Sequence, residues 1–279
     1  MKPALFDMAR PSTLDEALSL LAAHHEDARV IAGGQTLVPA MNFRLATPGL
    51  LIDLNRVREL SYIRLEDAHL RIGAMTRQAE LLTNPLVAVH VPLLELAVPL
   101  IGHIQTRSRG TVGGSLAHAD PSAELPLVMK TLDATLTLRS STATRTLPAR
   151  DFFLDALGTA LNEGELLTEI AIPVAPAGTR CAFRELTRRH GDFAIVSVAV
   201  QRTPGSIAIG VGGLEGVPRL CTSLMAAILS PGFSRSKLPE LIRTELQDTL
   251  ALADLHASAD YRRHLAAVLL EECLDEVLA

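Results

Sequence analysis

Basic charge is in slight deficit in this chain. Twenty-six lysines and arginines against 31 aspartates and glutamates leave a formal net charge of −5, so nothing electrostatic points to nucleic acid as a partner. Cysteine is scarce as well. Cys181, Cys221 and Cys273 lie far apart and in no CxxC spacing, which excludes a disulfide framework and a zinc or iron–sulfur site built from this chain alone. Any metal chemistry is therefore expected on a partner. Long apolar runs are missing too: "MKPALFDMARPSTLDEALSLLAAHHEDARV" carries acids and histidines within its apolar stretch, so it reads as neither a signal peptide nor a membrane span. The expectation is a cytoplasmic protein. No internal repeat, GxGxxG fingerprint or Walker A lysine is found, which removes the Rossmann and P-loop readings.

What is present is 279 residues, 48% of them hydrophobic, enough for roughly two domains with real cores. Ser12 or Thr13 is a plausible N-cap for a helix with Asp15 and Glu16 in its first turn and Leu14, Ala17, Leu18 and Leu21 at helical spacing. "ARVIAGG" and "GLLIDLNRV" read as short strands, so the first fifty-odd residues form a small α/β unit. "SYIRLEDAHLRIGAMT" predicts two strands around Glu66 and Asp67, and the following apolar stretch predicts helix broken or bounded by Pro85, Pro92 and Pro99. "SAELPLVMKTLD" predicts a helix, "ATLTLRS" and "ELLTEIAIPVAP" strands, and "PVAPAGT" a domain boundary near residue 177. Beyond it, "FAIVSVAVQR" and "SIAIGVGGL" predict paired strands, and "DYRRHLAAVLLEECLDEVL" a helix with Leu265, Val268, Leu269 and Leu274 on one face.

Two stretches of similar construction stand out, "VIAGGQTLVP" (30–39) and "RGTVGGSLAHADP" (109–121). A glycine pair after a strand permits positive φ and close backbone approach, and successive N–H groups then form an anion site to which Thr36, Thr111 and Ser115 add hydroxyl donors. One such turn alone is as well explained by a tight connection in an α/β domain. Two together suggest a dinucleotide held at its pyrophosphate from both sides.

These stretches, extended to "VIAGGQTLVPAMNFRLATPGLLIDLNRVREL" and "TRSRGTVGGSLAHADPSAELPLVM", resemble the two FAD-binding motifs of the flavoprotein (medium) subunit of molybdenum hydroxylases, the family of carbon monoxide, xanthine and nicotinate dehydrogenases. "RRHGDFAIVSVAV" and "SADYRRHLAAVLL" resemble its C-terminal domain, so the likeness spans nearly the whole chain. It implies an α+β fold: an FAD-binding domain of the vanillyl-alcohol-oxidase (PCMH) type over residues 1–176, in subdomains of about 1–55 and 56–176, then a C-terminal domain, 177–279, with a three-stranded antiparallel sheet and helices.

The resemblance further implies that FAD pyrophosphate rests on the backbone of Ala32, Gly33, Gly34, Gln35 and Thr36 and on Thr111, Gly113, Gly114 and Ser115, with Val30, Ile31 and Leu37 flanking the first loop. Ile101 and Gly102 match positions lining the flavin or adenine, Glu124 an acid that hydrogen-bonds the cofactor, and Leu161 and Arg184 outlying contacts. Phe193 matches an aromatic, often Tyr, beside the isoalloxazine, and phenylalanine leaves out the hydroxyl.

Bland readings stand beside these. Phe193, in an apolar strand context, suits a core. Glu124 suits a first helical turn, Arg107 and Arg109 suit either a phosphate or a solvated surface, and His118 and Asp120 suit a satisfied turn. His24 and His25 suit the C-terminal dipole of the first helix.

The function implied is electron transfer by FAD, from [2Fe–2S] clusters on a small partner subunit to an external acceptor, with molybdopterin on a large subunit and the whole a dimer of heterotrimers. No side chain is expected to act as nucleophile or base. A stand-alone FAD-dependent oxidoreductase of the same fold, or a non-enzymatic interaction subunit whose glycine turns are structural, are the alternatives.

Overall fold

The computed structural model describes residues 2–279 and builds the chain around three hydrophobic clusters, one for each main sheet. In the first, β1 (Asp7–Ala9), β2 (Ala28–Ile31) and β3 (Leu50–Asp53) pair in parallel in the order β1-β3-β2. Parallel neighbours need crossovers, supplied by α1 (Leu14–His24) and α2 (Leu37–Asn42). Thr13 is the cap of α1: its hydroxyl accepts from the Glu16 N–H at 3.2 Å, and the Glu16 carboxylate accepts from the Ser12 N–H at 2.8 Å. Leu14, Ala17, Leu18 and Leu21 are buried, as their spacing predicts. β1 has no sequence signature, being three residues long.

The second sheet begins with the hairpin β4 (Ile63–Glu66) and β5 (His69–Gly73). The apolar stretch that follows breaks into α3 (Gln78–Thr83), α4 (Pro85–His90) and α5 (Pro92–Ala97). Pro85 and Pro92 occupy first helical positions, where the missing N–H costs nothing. Then come α6 (Ile104–Arg109), α7 (Val112–His118), α8 (Glu124–Thr131), the pair β6 (Thr135–Arg139) and β7 (Thr144–Pro148), and α9 (Ala149–Phe152). A ribbon of β8 (Phe153–Asp155) and β9 (Gly158–Thr159) leads into β10 (Leu166–Pro173). The sheet order is β4-β5-β10-β6-β7, with antiparallel neighbours, so β10 is central. Its near-continuous apolar run follows from that position.

The third sheet joins β11 (Arg180–Leu186), β12 (Val196–Arg202) and β13 (Ile207–Gly212) as antiparallel neighbours, and β14 (Arg219–Leu220) adds a two-residue fourth strand to the three expected. One face packs on α10 (Thr222–Leu229), α11 (Leu238–Gln247) and α12 (Ala259–Leu278), and the other on α5 and α8. α8 lies so close to β13 that a Cβ on Gly210 would overlap the Thr131 side chain.

The buried face of α12 differs from expectation. It runs through Arg262, Ala266, Leu269, Leu270, Cys273, Leu274 and Val277, whereas Val268 is exposed and Leu265 only partly buried. A cation holds that face in place: the Arg262 guanidinium, 3% exposed, donates to the Ile195 carbonyl, to Gly213 O at 2.8 Å and to Asp254 Oδ2 at 2.6 Å. Apolar spacing alone gave no sign of a buried arginine.

Candidate functional site

β2 ends at Ile31 and delivers residues 32–36 into a turn before α2 begins at Leu37. Gly34 takes φ +69°, a left-handed conformation that costs glycine little. Among the hydrogen bonds of the described residues, none has the backbone N–H of Gly33, Gly34, Gln35 or Thr36 as donor. The Gln35 side chain instead donates to Gly33 O at 3.1 Å, which steadies the loop without using those groups. Four successive free N–H groups make a concave anion site.

The second glycine pair is built differently. It does not follow a strand, because α6 ends at Arg109 and Thr111 caps α7, which makes Val112, Gly113, Gly114 and Ser115 the first turn of a helix. Its N–H groups are engaged: Val112 donates to Thr76 O at 3.0 Å, Gly113 to Ala74 O at 2.8 Å, Gly114 to Thr111 Oγ1 at 3.1 Å and Ser115 to Thr111 O at 3.2 Å. This jaw therefore offers the hydroxyls of Thr111 and Ser115 rather than free backbone donors.

The glycines also do different work from that expected. A Cβ on Gly33 would overlap the carbonyl oxygen of Arg109 and lie 2.8 Å from Gly110 Cα, and one on Gly113 would lie 2.8 Å from Ala74 O. Both glycines let backbone pack on backbone. An added Cβ on Gly114 meets no backbone at short range: it lies 2.7 Å from the Thr111 hydroxyl, with Ala32 Cβ of the other jaw 3.6 Å away. Arg77 and Asn55 tie the jaws together. The Arg77 guanidinium donates to Arg109 O and to Asn55 Oδ1, and Asn55 Nδ2 donates to Ala32 O at 3.1 Å.

Between the jaws lies a cleft of about 970 Å³, at the upper end of the range for ligand pockets. Val30, Ile31, Ala32, Gly33, Gly34, Gln35, Thr36 and Leu37 line one side, and Thr111, Gly113, Gly114 and Ser115 the other. Ile101, Gly102, Glu124, Leu161 and Phe193 complete the walls from four further segments. Phe193 is 60% exposed in a loop before β12, so the core reading does not hold. Arg184 lies outside the cleft and pairs with Glu276 of α12 at 2.6 Å.

The Arg107 guanidinium donates to Ile101 O at 2.7 Å and Gly102 O at 2.9 Å, fixing that turn, while Arg109 is exposed. His118 and Asp120 line the cleft, and Asp120 closes a turn by accepting from the Ser122 N–H at 2.9 Å. His25 does more than end α1, since its ring meets Glu163 at 2.9 Å and both residues line the cleft. Residues 162–167, Gly191 and Asp192, and Gln78 belong to the walls and went unmarked in the sequence. Gln78, 5% exposed with its Oε1 unpartnered, is the kind of polar residue a motif search passes over.

Glu124 is 3% exposed. Burial pushes its carboxyl up to about 7; Asp120 adds to the rise, while its own backbone N–H and Arg107 oppose it.

The family "FAD binding domain in molybdopterin dehydrogenase" matches residues 4–175, and the "CO dehydrogenase flavoprotein C-terminal domain" matches residues 181–277. The carbon monoxide dehydrogenase medium chain of Afipia carboxidovorans is 34% identical over 284 residues, covering 100% of this chain and 99% of the other. This chain belongs to the FAD-binding medium subunits of the molybdenum hydroxylases. Subunit alpha of the 6-hydroxypseudooxynicotine dehydrogenase complex of Paenarthrobacter nicotinovorans is 37% identical, covering 100% of this chain and 96% of its own length. Among solved structures, carbon monoxide dehydrogenase of Hydrogenophaga pseudoflava superposes with a TM-score of 0.95 at 34% identity, covering 100% and 99% of the two chains.

The medium subunit is thus an FAD-dependent oxidoreductase subunit, and its cleft fits the cofactor. Free N–H groups on one jaw and hydroxyls on the other suit a pyrophosphate, and the apolar walls suit ring systems.

Proposed function

We propose that this subunit carries electrons within a molybdenum hydroxylase complex. Bound in the cleft, FAD supplies the redox chemistry, receiving electrons from [2Fe–2S] clusters of a small partner subunit and releasing them to an external acceptor. A large subunit with molybdopterin oxidises the substrate, and the assembly is a dimer of heterotrimers in the cytoplasm. The chain divides near residue 177 into an FAD-binding and a C-terminal domain.

The observation that carries this reading is the pairing of four unused N–H groups at 33–36 with the Thr111 and Ser115 hydroxyls across one cleft. Gly33, Gly34, Gln35 and Thr36 hold the pyrophosphate, Ile101 and Gly102 form a floor fixed by Arg107, and Phe193 lies beside the ring system. Among the described residues no group of three or more His, Cys, Asp or Glu side chains is placed to hold a metal ion.

The test is reconstitution. Purified chain incubated with FAD is expected to retain flavin absorbance through gel filtration and to melt at a higher temperature. A folded chain that keeps no flavin and gains no stability overturns the reading.

A further inference from the structure

One end of the cleft is closed by a segment that no hydrophobic core holds. Residues 187–195 join β11 to β12, and Gly191, Asp192 and Phe193 of that loop line the cleft. The base of the loop is tied where the Ile195 N–H donates to Leu186 O at 2.8 Å, and its tip is a turn in which the Asp192 N–H donates to Arg189 O at 3.0 Å. On its own side it is held at Arg188, whose guanidinium meets the His256 ring at 3.0 Å. None of residues 187–193 belongs to a hydrophobic cluster, and Phe193 is 60% exposed. Fixing loop backbone costs conformational entropy, so an aromatic kept in one place on such a loop needs a seat.

Across the cleft that seat is His103. It follows Ile101 and Gly102, which line the cleft, and caps α6, where its carbonyl accepts from the Arg107 N–H at 3.0 Å. The Arg107 guanidinium holds the same turn through Ile101 O and Gly102 O, so His103 stands on a fixed footing. Its imidazole lies against Gly191: a Cβ there would overlap the ring, with Nδ1 at 2.5 Å and Nε2 at 2.8 Å. Gly191 takes φ +85°, so the chain turns at the point of contact in a conformation that glycine adopts freely. The His190 ring meets His103 edge to face, with centroids 6.1 Å apart. Phe193 stands two residues beyond this contact.

We propose that His103 is the positioning residue for Phe193: the imidazole seats the loop at Gly191 and thereby fixes Phe193 beside the ring system held in the cleft. The inference rests on the FAD reading above. His103 does not itself line the cleft, so it acts through Gly191 and not by touching the cofactor.

The test is a cycle of variants in the full chain loaded with FAD. His103→Ala keeps the backbone and the Arg107 anchor but removes the seat, and it is expected to weaken FAD binding by about fivefold. It also opens the bound flavin to quenching by iodide, because Phe193 no longer shields the ring. Phe193→Ala produces the same two changes. Adding His103→Ala to Phe193→Ala changes nothing more, because the residue through which the histidine acts is gone. Wild-type affinity and quenching in His103→Ala overturn the proposal. So does a full loss from His103→Ala in the Phe193→Ala background, since the histidine would then act by itself.

A second readout needs no cofactor. Arg188 and Arg189 are exposed tryptic sites within the loop, and an unseated loop opens more often for cleavage. In the chain without flavin, His103→Ala is expected to be cut after these arginines several-fold faster than wild type. Equal rates there overturn the seat. Absence of FAD uptake by wild type overturns the cofactor reading and the role of Phe193 with it, while the tryptic rates still decide whether His103 seats the loop.

Discussion

Gly33 and Arg109 touch backbone to backbone: a single added Cβ on the glycine would overlap the arginine carbonyl, the same carbonyl that accepts from Arg77. The spacing of the two jaws is thereby set by the absence of one carbon atom. Gly33→Ala is expected to push the jaws apart and weaken FAD binding by at least about tenfold, since the clash is with main chain that has no rotamer to yield. Gly114→Ala meets only the Thr111 hydroxyl at short range and then Ala32 at 3.6 Å, so its loss is expected to be smaller. Flavin titration of the two variants checks the order. A reversed order would show that access to the ligand, rather than jaw packing, sets the requirement for glycine.

Phe193, matched to an aromatic beside the isoalloxazine, lines the cleft, whereas Arg184, matched to an outlying contact, does not. Phe193 stands 60% exposed at the cleft, so Phe193→Ala removes little buried surface and is expected to change stability by less than about 1 kcal/mol. The effect belongs on the flavin, read as weaker binding or altered flavin fluorescence. Arg184→Ala breaks a half-exposed pair with Glu276, outside the cleft, and is expected to leave FAD affinity unchanged. An Arg184 variant that loses flavin would return that residue to the site.

Much of this was legible in the sequence because the signals were local. Thr13 with Glu16, the β4–β5 hairpin, and Pro85 and Pro92 at helix starts each follow from chemistry within a few residues. The glycine pairs were legible as special positions but not in their roles: that Gly33 packs on Arg109 and Gly113 on Ala74 depends on contacts 76 and 39 residues apart in sequence. Likewise Gln78 and His103 carry no motif. They matter only because the fold brings Gln78 to the wall of the cleft and the His103 ring against Gly191.

Arg262 shows how far such a contact can govern stability. Its buried guanidinium joins α12 to the ends of β12 and β13 through the carbonyls of Ile195 and Gly213, and to Asp254. Arg262→Met keeps the bulk but leaves those acceptors unpaired, with an expected loss of about 3 kcal/mol in urea unfolding. Leu265→Ala, on the partly buried side of the helix, is expected to cost less. If Arg262→Met matched wild type, the tail helix would be held by its apolar residues alone.

Glu124 gives a pH dependence whose sign is fixed by its burial. Its folded value, about 7, lies above the ordinary 4.5, so between those values the folded state binds more protons than the unfolded one. Stability from this group is fully present below its unfolded value and is lost as pH rises through about 7. In Glu124→Gln the neutral amide has no charge to bury, so the variant without cofactor is expected to exceed wild type by on the order of 2 to 3 kcal/mol near pH 8, and by little near pH 5. Chemical unfolding at the two pH values measures the difference directly. A variant less stable than wild type at the higher pH would mean that the ionised carboxylate finds a partner in the folded chain, and the neutral acid at the cleft wall would have to be abandoned.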